Sequence, residues 1–138
     1  MNAAEHNGKV IVCVELGSNI KPEKYLPLAA KALKKEFKVV GISRAWETPP
    51  VGCIGCENYL NAALLIETII PNAELRLRLR EIEAQLDRVR TSDKFAPRTI
   101  DIDVLIYDNR VIETNLWKYS FLAVPVSELM PDFRHPET

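Results

Sequence analysis

With 138 residues, 47% of them hydrophobic, the chain is long enough to bury one good core and reads as a single domain spanning residues 1–138. A formal charge of −1 excludes a general electrostatic pull toward nucleic acid or an anionic membrane, so any anion binding has to come from local clusters. Residues 1–9 hold no apolar leader and no later run approaches the roughly 20 apolar residues of a membrane span, so a cytoplasmic protein is expected.

Lys9 to Glu15 reads as a first strand, apolar enough to be central, and Gly17-Ser18-Asn19 turns out of it. From Pro22 to Phe37, Leu26, Ala29, Ala30 and Leu33 recur at helical spacing, with lysines on the other face. Lys38 to Thr48 alternates as a second strand and stops at Pro49-Pro50. Residues 49–57 form a long connection of the kind that carries function. Tyr59 to Thr68 is a third strand, with Tyr59, Asn61, Ala63 and Leu65 on one face and Leu60, Ala62, Leu64 and Ile66 on the other. A second helix follows Pro71-Asn72, its stripe marked by Leu75, Leu79, Ile82 and Leu86, with Arg76, Arg80, Glu83 and Arg88 off the stripe. Residues 88–95 make a basic loop into a last strand. The order β-α-β-β-α-β predicts an α+β, ferredoxin-like domain: an antiparallel sheet, both helices on one face and the other face free for ligands.

Cysteines 13, 53 and 56 are an odd number without an export signal, so a disulfide framework is not expected. Cys53 and Cys56 spell C-x-x-C but lack the second ligand pair of a structural zinc site, so they read as an ordinary loop with two thiols. Cys13, in an apolar strand, reads as a small core residue. There is no P-loop or kinase glycine loop, and Leu16-Gly17-Ser18-Asn19 is too short for either.

The last strand carries the chemistry. Alternation puts Ile100, Ile102, Val104 and Ile106 on a buried face and Thr99, Asp101, Asp103 and Leu105 on the opposite one. Aspartate is a poor strand former, so two of them within a β-branched run oppose local propensity, as functional sites do. Spaced roughly 7 Å apart along the strand, two carboxylates suit hard cations, with magnesium the natural guest. Arg98 adds a fork of donors matched to phosphate oxygens. Two aspartates with an arginine point to phosphoryl chemistry.

The motifs Leu16-Gly17-Ser18-Asn19, Glu47-Thr48-Pro49-Pro50-Val51-Gly52, Asn58-Tyr59-Leu60-Asn61-Ala62, Ile82-Glu83, Arg88-Val89-Arg90 and Ala96-Pro97-Arg98-Thr99-Ile100-Asp101-Ile102-Asp103, in this order, resemble the 6-hydroxymethyl-7,8-dihydropterin pyrophosphokinases of folate biosynthesis. The resemblance implies transfer of pyrophosphate from ATP to the hydroxymethyl oxygen of the pterin, with release of AMP. It implies two magnesium ions on Asp101 and Asp103, charge neutralisation by Arg88 and Arg98, and nucleotide positioning by Glu83 and Arg90. For the pterin it points to Gly17, Thr48, Pro49, Val51, Tyr59 and Asn61, with Phe121 closing the ring from the other side and Phe95 where the family has a tryptophan. Stacking on Tyr59 and an amide at Asn61 that both donates and accepts suit a flat heterocycle with a guanidine-like edge. Small-molecule partners and a monomer are expected.

Before Phe121 the family usually carries a longer segment with Pro-His and then an arginine; this chain has Leu116-Trp117-Lys118-Tyr119-Ser120, in which Lys118 offers one positive charge near the phosphates. Two lost nucleotide contacts weaken the nucleotide half at about 1.5 to 3 kcal/mol each. The pterin half and the aspartate pair are intact. The leading expectation is therefore an active enzyme with weakened ATP binding, and the alternative is a catalytically degenerate pterin-binding or regulatory module. A ferredoxin-like nucleic-acid binder is disfavoured by the neutral charge and the aspartates on the open face.

Overall fold

The computed structural model describes residues 8–50, 52, 55–93 and 95–133. It is an α+β arrangement of a six-stranded antiparallel sheet and three helices, in the order β1 (Val10–Ser18), α1 (Pro22–Glu36), β2 (Lys38–Ile42), β3 (Trp46–Thr48), β4 (Tyr59–Thr68), α2 (Asn72–Gln85), β5 (Asp101–Tyr107), β6 (Arg110–Val111) and α3 (Ser120–Leu129). The strands lie in the order β2-β4-β1-β5-β6, with β3 on β4 beyond the end of β2. Among the described residues no helix is long and apolar enough to cross a membrane.

The sequence periodicities locate the main core. Val12, Val14 and Leu16 of β1, Ala62, Leu64 and Ile66 of β4, and Ile100, Ile102 and Val104 pack against Leu26, Ala29 and Leu33 of α1 and Leu75, Leu79 and Ile82 of α2. Helix α1 ends where Phe37 turns extended, and α2 stops before Asp87, whose positive φ of 68° reverses the chain. The Tyr25 hydroxyl donates to Asp87 at 2.6 Å, tying the two helices' ends together.

Four features depart from the sequence reading. The predicted second strand is two pieces, because Ser43 substitutes for a ladder residue: its N–H donates to the Ala63 carbonyl at 2.9 Å and its hydroxyl accepts from the Ala63 N–H at 2.8 Å. The first strand runs on past Glu15 to Ser18, since Gly17 and Ser18 find partners on β4 and Gly17 also on β5. The ligand face is only half free: α3, which the periodicity did not reveal, lays Leu122 and Val126 on Cys13, Ala63, Leu105 and Ile106, with Leu116 beside them. Ile106 thus belongs to this second core and not to the helix-facing row. The pairing jumps from Val14↔Val104 to Cys13↔Ile106, so Leu105 is an extra residue, and this bulge shifts the alternation by one.

The connection from β5 to β6 is a tight turn through Asp108 and Asn109, both at positive φ, residue types that tolerate that region. Cys13 is buried as expected, and burial followed by the charge of Glu15 pushes its thiol up to about 12. Cys56, expected to be a thiol, is instead disulfide-bonded, while Cys53 lies outside the described residues.

Candidate active site

Strand β1 is the axis of the site. Gly17 is flanked by Asn61 on β4 and Asp101 on β5; two residues earlier, Glu15 is flanked by Ala63 and Asp103. These two rows face away from α1 and α2, where α3 leaves the sheet uncovered. The short strand β3 pairs Thr48 with Tyr59 and Trp46 with Asn61, which lets the Asn61 amide donate to the Thr48 hydroxyl at 2.6 Å. Glycine at 17 keeps the floor low: a Cβ there would sit 3.1 Å from Asn61 Oδ1 and 3.6 Å from the Tyr59 ring.

The loop before β5 is held from below. Asn19 Oδ1 accepts from the Arg98 N–H at 2.7 Å, and the N–H groups of Asn19 and Ile20 donate to the Arg98 carbonyl at 3.1 and 3.2 Å. With this backbone pinned, the Arg98 guanidinium donates to Asp101 Oδ2 at 2.7 Å. Arg88, its side chain only 8% exposed, donates from Nη1 to the Ile100 carbonyl at 2.9 Å and to Asp101 Oδ1 at 3.3 Å. Each Asp101 oxygen therefore meets an arginine.

Glu83, placed off the apolar stripe of α2 by the sequence, is 2% exposed. Its Oε2 accepts from the Ile102 N–H, between the two aspartates, at 2.7 Å, and its Oε1 accepts from Arg90. Glu83→Ala leaves that buried N–H without a partner and should lower stability by about 1–3 kcal/mol in urea unfolding. An unchanged midpoint would remove Glu83 from this anchoring role.

Carboxylate crowding sets the electrostatics. Asp103 is an exposed residue, and burial of its carboxyl in the cluster, followed by the charge of Asp101, pushes it up to about 8. Burial, then Asp103, Asp101 and Glu113, push Glu15 up to about 9. Burial acts upward on Asp101 too, but Arg98, a hydrogen bond with Asp103 and then Arg88 hold it below its ordinary value. Like charges at this spacing do not all ionise without a compensating cation.

Two cavities meet at this cluster. One, of about 200 Å³, is lined by Gly17, Thr48, Pro49, Tyr59, Asn61, Phe95, Arg98, Asp101, Asp103 and Phe121, with Glu15 and Leu122. The other, of about 330 Å³, is lined by Glu83, Arg88, Arg90, Arg98, Asp101 and Asp103, with Arg76, Arg80, Ile112 and Glu113 among the rest. Arg98, Asp101 and Asp103 are common to both. Val51 lies outside the described residues. Lys118 lines neither cavity; it is exposed, its Nζ 5.3 Å from the Tyr119 ring centre.

Sequence reasoning passed over Glu15, Arg76 and Arg80 as site residues. The signals were present: Glu15 is an acidic residue in an otherwise apolar strand, in phase with Gly17, and residues 76, 80 and 83 lie on one helical face. Among the described residues no group of three or more His, Cys, Asp or Glu is gathered tightly enough to hold a metal. A pair of carboxylates at the mouth of an arginine-lined cavity nonetheless suits magnesium, which keeps several waters and takes further oxygens from phosphates rather than from an all-protein cage.

Residues 13–131 match the family model described as 7,8-dihydro-6-hydroxymethylpterin-pyrophosphokinase. The chain is 31% identical over 134 residues to the 2-amino-4-hydroxy-6-hydroxymethyldihydropteridine pyrophosphokinase of Aquifex aeolicus, covering 91% of this chain and 83% of that protein. It is 32% identical over 130 residues to the pyrophosphokinase of the same name from Bacillus subtilis, covering 86% and 77%. The folic acid synthesis protein FOL1 of Dictyostelium discoideum is 28% identical over 139 residues, covering 94% of this chain and 21% of that longer protein.

Proposed function

The chain belongs to the 7,8-dihydro-6-hydroxymethylpterin-pyrophosphokinase family, and we propose that it transfers pyrophosphate from ATP to 6-hydroxymethyl-7,8-dihydropterin, releasing AMP. The observation that carries this reading is the meeting of the two cavities at Arg98, Asp101 and Asp103. A transfer between two substrates needs one site for each, joined where the phosphoryl group crosses. The aromatic cavity takes the pterin, between Tyr59 and Phe121 and with Asn61 and Thr48 at its polar edge. The cavity with five arginines takes the triphosphate.

In the reaction the hydroxymethyl oxygen bonds to the β-phosphorus of ATP and the bond to the oxygen bridging to the α-phosphorus breaks. AMP leaves, and the hydroxyl proton passes to solvent. Asp101 and Asp103 are the residues that would hold two magnesium ions, which when bound supply neutralisation of triphosphate charge. Arg88 and Arg98 donate to Asp101 and both line the larger cavity, where triphosphate oxygens would draw on the same donors. Glu83 holds β5 and Arg90 in position. Arg76 and Arg80 supply the cavity with positive charge that the short segment before Phe121 does not.

The strand order β2-β4-β1-β5, with α1 and α2 on one face, is read as ferredoxin-like. A monomer acting in the cytoplasm is the simplest setting for such an enzyme. The degenerate binding module is the weaker reading, because Asp101, Asp103, Arg88 and Arg98 are all present and converge.

AMP release from magnesium-ATP, measured with and without the dihydropterin and over ATP concentrations into the millimolar range, tests the proposal. Pterin-dependent AMP is expected; pterin binding without AMP would establish the binding module instead. Gly17→Ala, whose methyl presses on Asn61 Oδ1, should raise KM for the pterin about tenfold, equivalent to ~1.4 kcal/mol, and leave KM for ATP in place. Equal rises in both would show that the two cavities are not divided in this way.

A further inference from the structure

Glu15 lines the smaller cavity with Asp101 and Asp103, yet the reaction above leaves it unused. It is 5% exposed, and its Oε1 has no hydrogen-bond partner among the described residues. A buried carboxyl oxygen without a partner is costly, and the side chains around this one do not supply a donor. Ala63, its neighbour on β4, and Leu122, which lines the same cavity, have no polar side-chain atom, and Asp103, its neighbour on β5, is engaged with Asp101. Resting on the reading of Asp101 and Asp103 as the magnesium pair, we propose that Glu15 is an outer carboxylate of that centre. It accepts a hydrogen bond from a water of the cation's shell, and so enables the centre to hold a divalent cation before any nucleotide is bound.

The sheet register supplies the geometry. Glu15 and Asp103 are direct cross-strand partners, so their side chains leave the sheet on the same face, with Cβ atoms about 5 Å apart. Glu113, which lines the larger cavity together with Asp103, has its Oε1 taken by the Asn115 N–H at 3.0 Å. A donor that settles among these carboxylates is favoured by positive charge behind it, which a neutral heterocycle lacks and a hydrated cation has. Among the described residues no three acidic side chains are gathered tightly enough for direct ligation, so Glu15 stands one water away from the ion. Magnesium suits such a place, because it dehydrates reluctantly and keeps several waters. A carboxyl oxygen accepts from such a water with or without its proton, and more strongly once ionised. Arg88 and Arg98 draw on the charge of Asp101, and a third carboxyl restores that charge to the centre without the help of nucleotide oxygens.

The experiment is binding of Mn2+, followed by the electron paramagnetic resonance signal of the free ion, to the unaltered protein, Glu15→Ala and Glu15→Gln, with no nucleotide or pterin added. Mn2+ takes the same oxygen ligands in the same octahedral geometry as magnesium and carries a spectroscopic signal. The unaltered protein is expected to bind it at a site from which magnesium displaces it. Glu15→Ala should weaken that binding by about tenfold to a hundredfold, the range for loss of an outer-shell partner. Glu15→Gln keeps a carbonyl oxygen able to accept but loses the charge, so it should fall between the two. This second variant keeps the test open if the first fails to fold. Equal affinities in all three proteins, or no Mn2+ bound by the unaltered protein without nucleotide, overturn the role of Glu15. Pterin-dependent AMP release from magnesium-ATP, measured on the same unaltered protein, then shows that the pyrophosphokinase reading survives that loss. Absence of this AMP alongside Glu15-dependent Mn2+ binding overturns the transfer reaction and leaves the cation centre in place.

Discussion

Asp103→Asn is expected to lower magnesium-dependent AMP formation by about a thousandfold or more while leaving the protein folded. Asparagine has the same shape but carries no charge, and burial followed by the charge of Asp101 already pushes the Asp103 carboxyl up to about 8, toward the neutral form. Substitution therefore removes no interaction on which the fold depends, and it relieves repulsion within the cluster. The unfolding midpoint should stay level or rise. Asp101 behaves differently despite lying on the same strand face. Its carboxylate is the partner of both Arg88 and Arg98, so Asp101→Ala leaves the nearly buried Arg88 charge poorly matched, at a cost of up to about 3 kcal/mol, in addition to the loss of activity. Turnover assays at saturating magnesium, paired with denaturant unfolding, separate the two effects. An Asp103→Asn protein retaining more than about a tenth of its turnover would remove that residue from any metal role.

Arg98→Ala should cost about a hundredfold or more in turnover and raise KM for ATP. The backbone at this position is fixed by Asn19, so the loop stays in place and the loss is confined to the guanidinium. That group lies where the two cavities join and donates to Asp101 at 2.7 Å, within reach of phosphate oxygens entering the larger cavity. Arg98→Lys should recover only part of the loss, because a point charge does not reproduce two parallel N–H donors. The assay is steady-state kinetics with ATP varied at saturating pterin. A KM for ATP unchanged in Arg98→Ala would place the guanidinium on the pterin side of the junction.

Much of the fold was legible because burial imposes a period. Leu26, Ala29 and Leu33, or Leu75, Leu79 and Ile82, can share a face only on a helix, and the two faces of β4 separate as alternation requires. Helix α3 escaped because its residues are apolar nearly all round, with Pro125 inside, so it has no single stripe; one side lies on the sheet and Phe121 borders the smaller cavity. The break at Ser43 escaped because it depends on a side chain replacing a backbone pair across strands. The bulge at Leu105 escaped for a related reason: register belongs to the pair β1 and β5, and nothing within β5 alone announces an extra residue.

The candidate site divides along the same line. The motif order within the chain established the family, and with it the aspartates, the two arginines and the aromatic wall, since residue type and spacing are properties of the chain itself. Which of those groups touch was decided only by tertiary structure. Asp101 is gripped by arginines 13 residues before it and 3 residues before it, Glu83 reaches 19 residues ahead to hold the strand between the aspartates, and Glu15 meets Asp103 only because β1 pairs with β5. Hydrogen bonds and protonation depend on distance in space and on burial, and neither is written in the local order of residues.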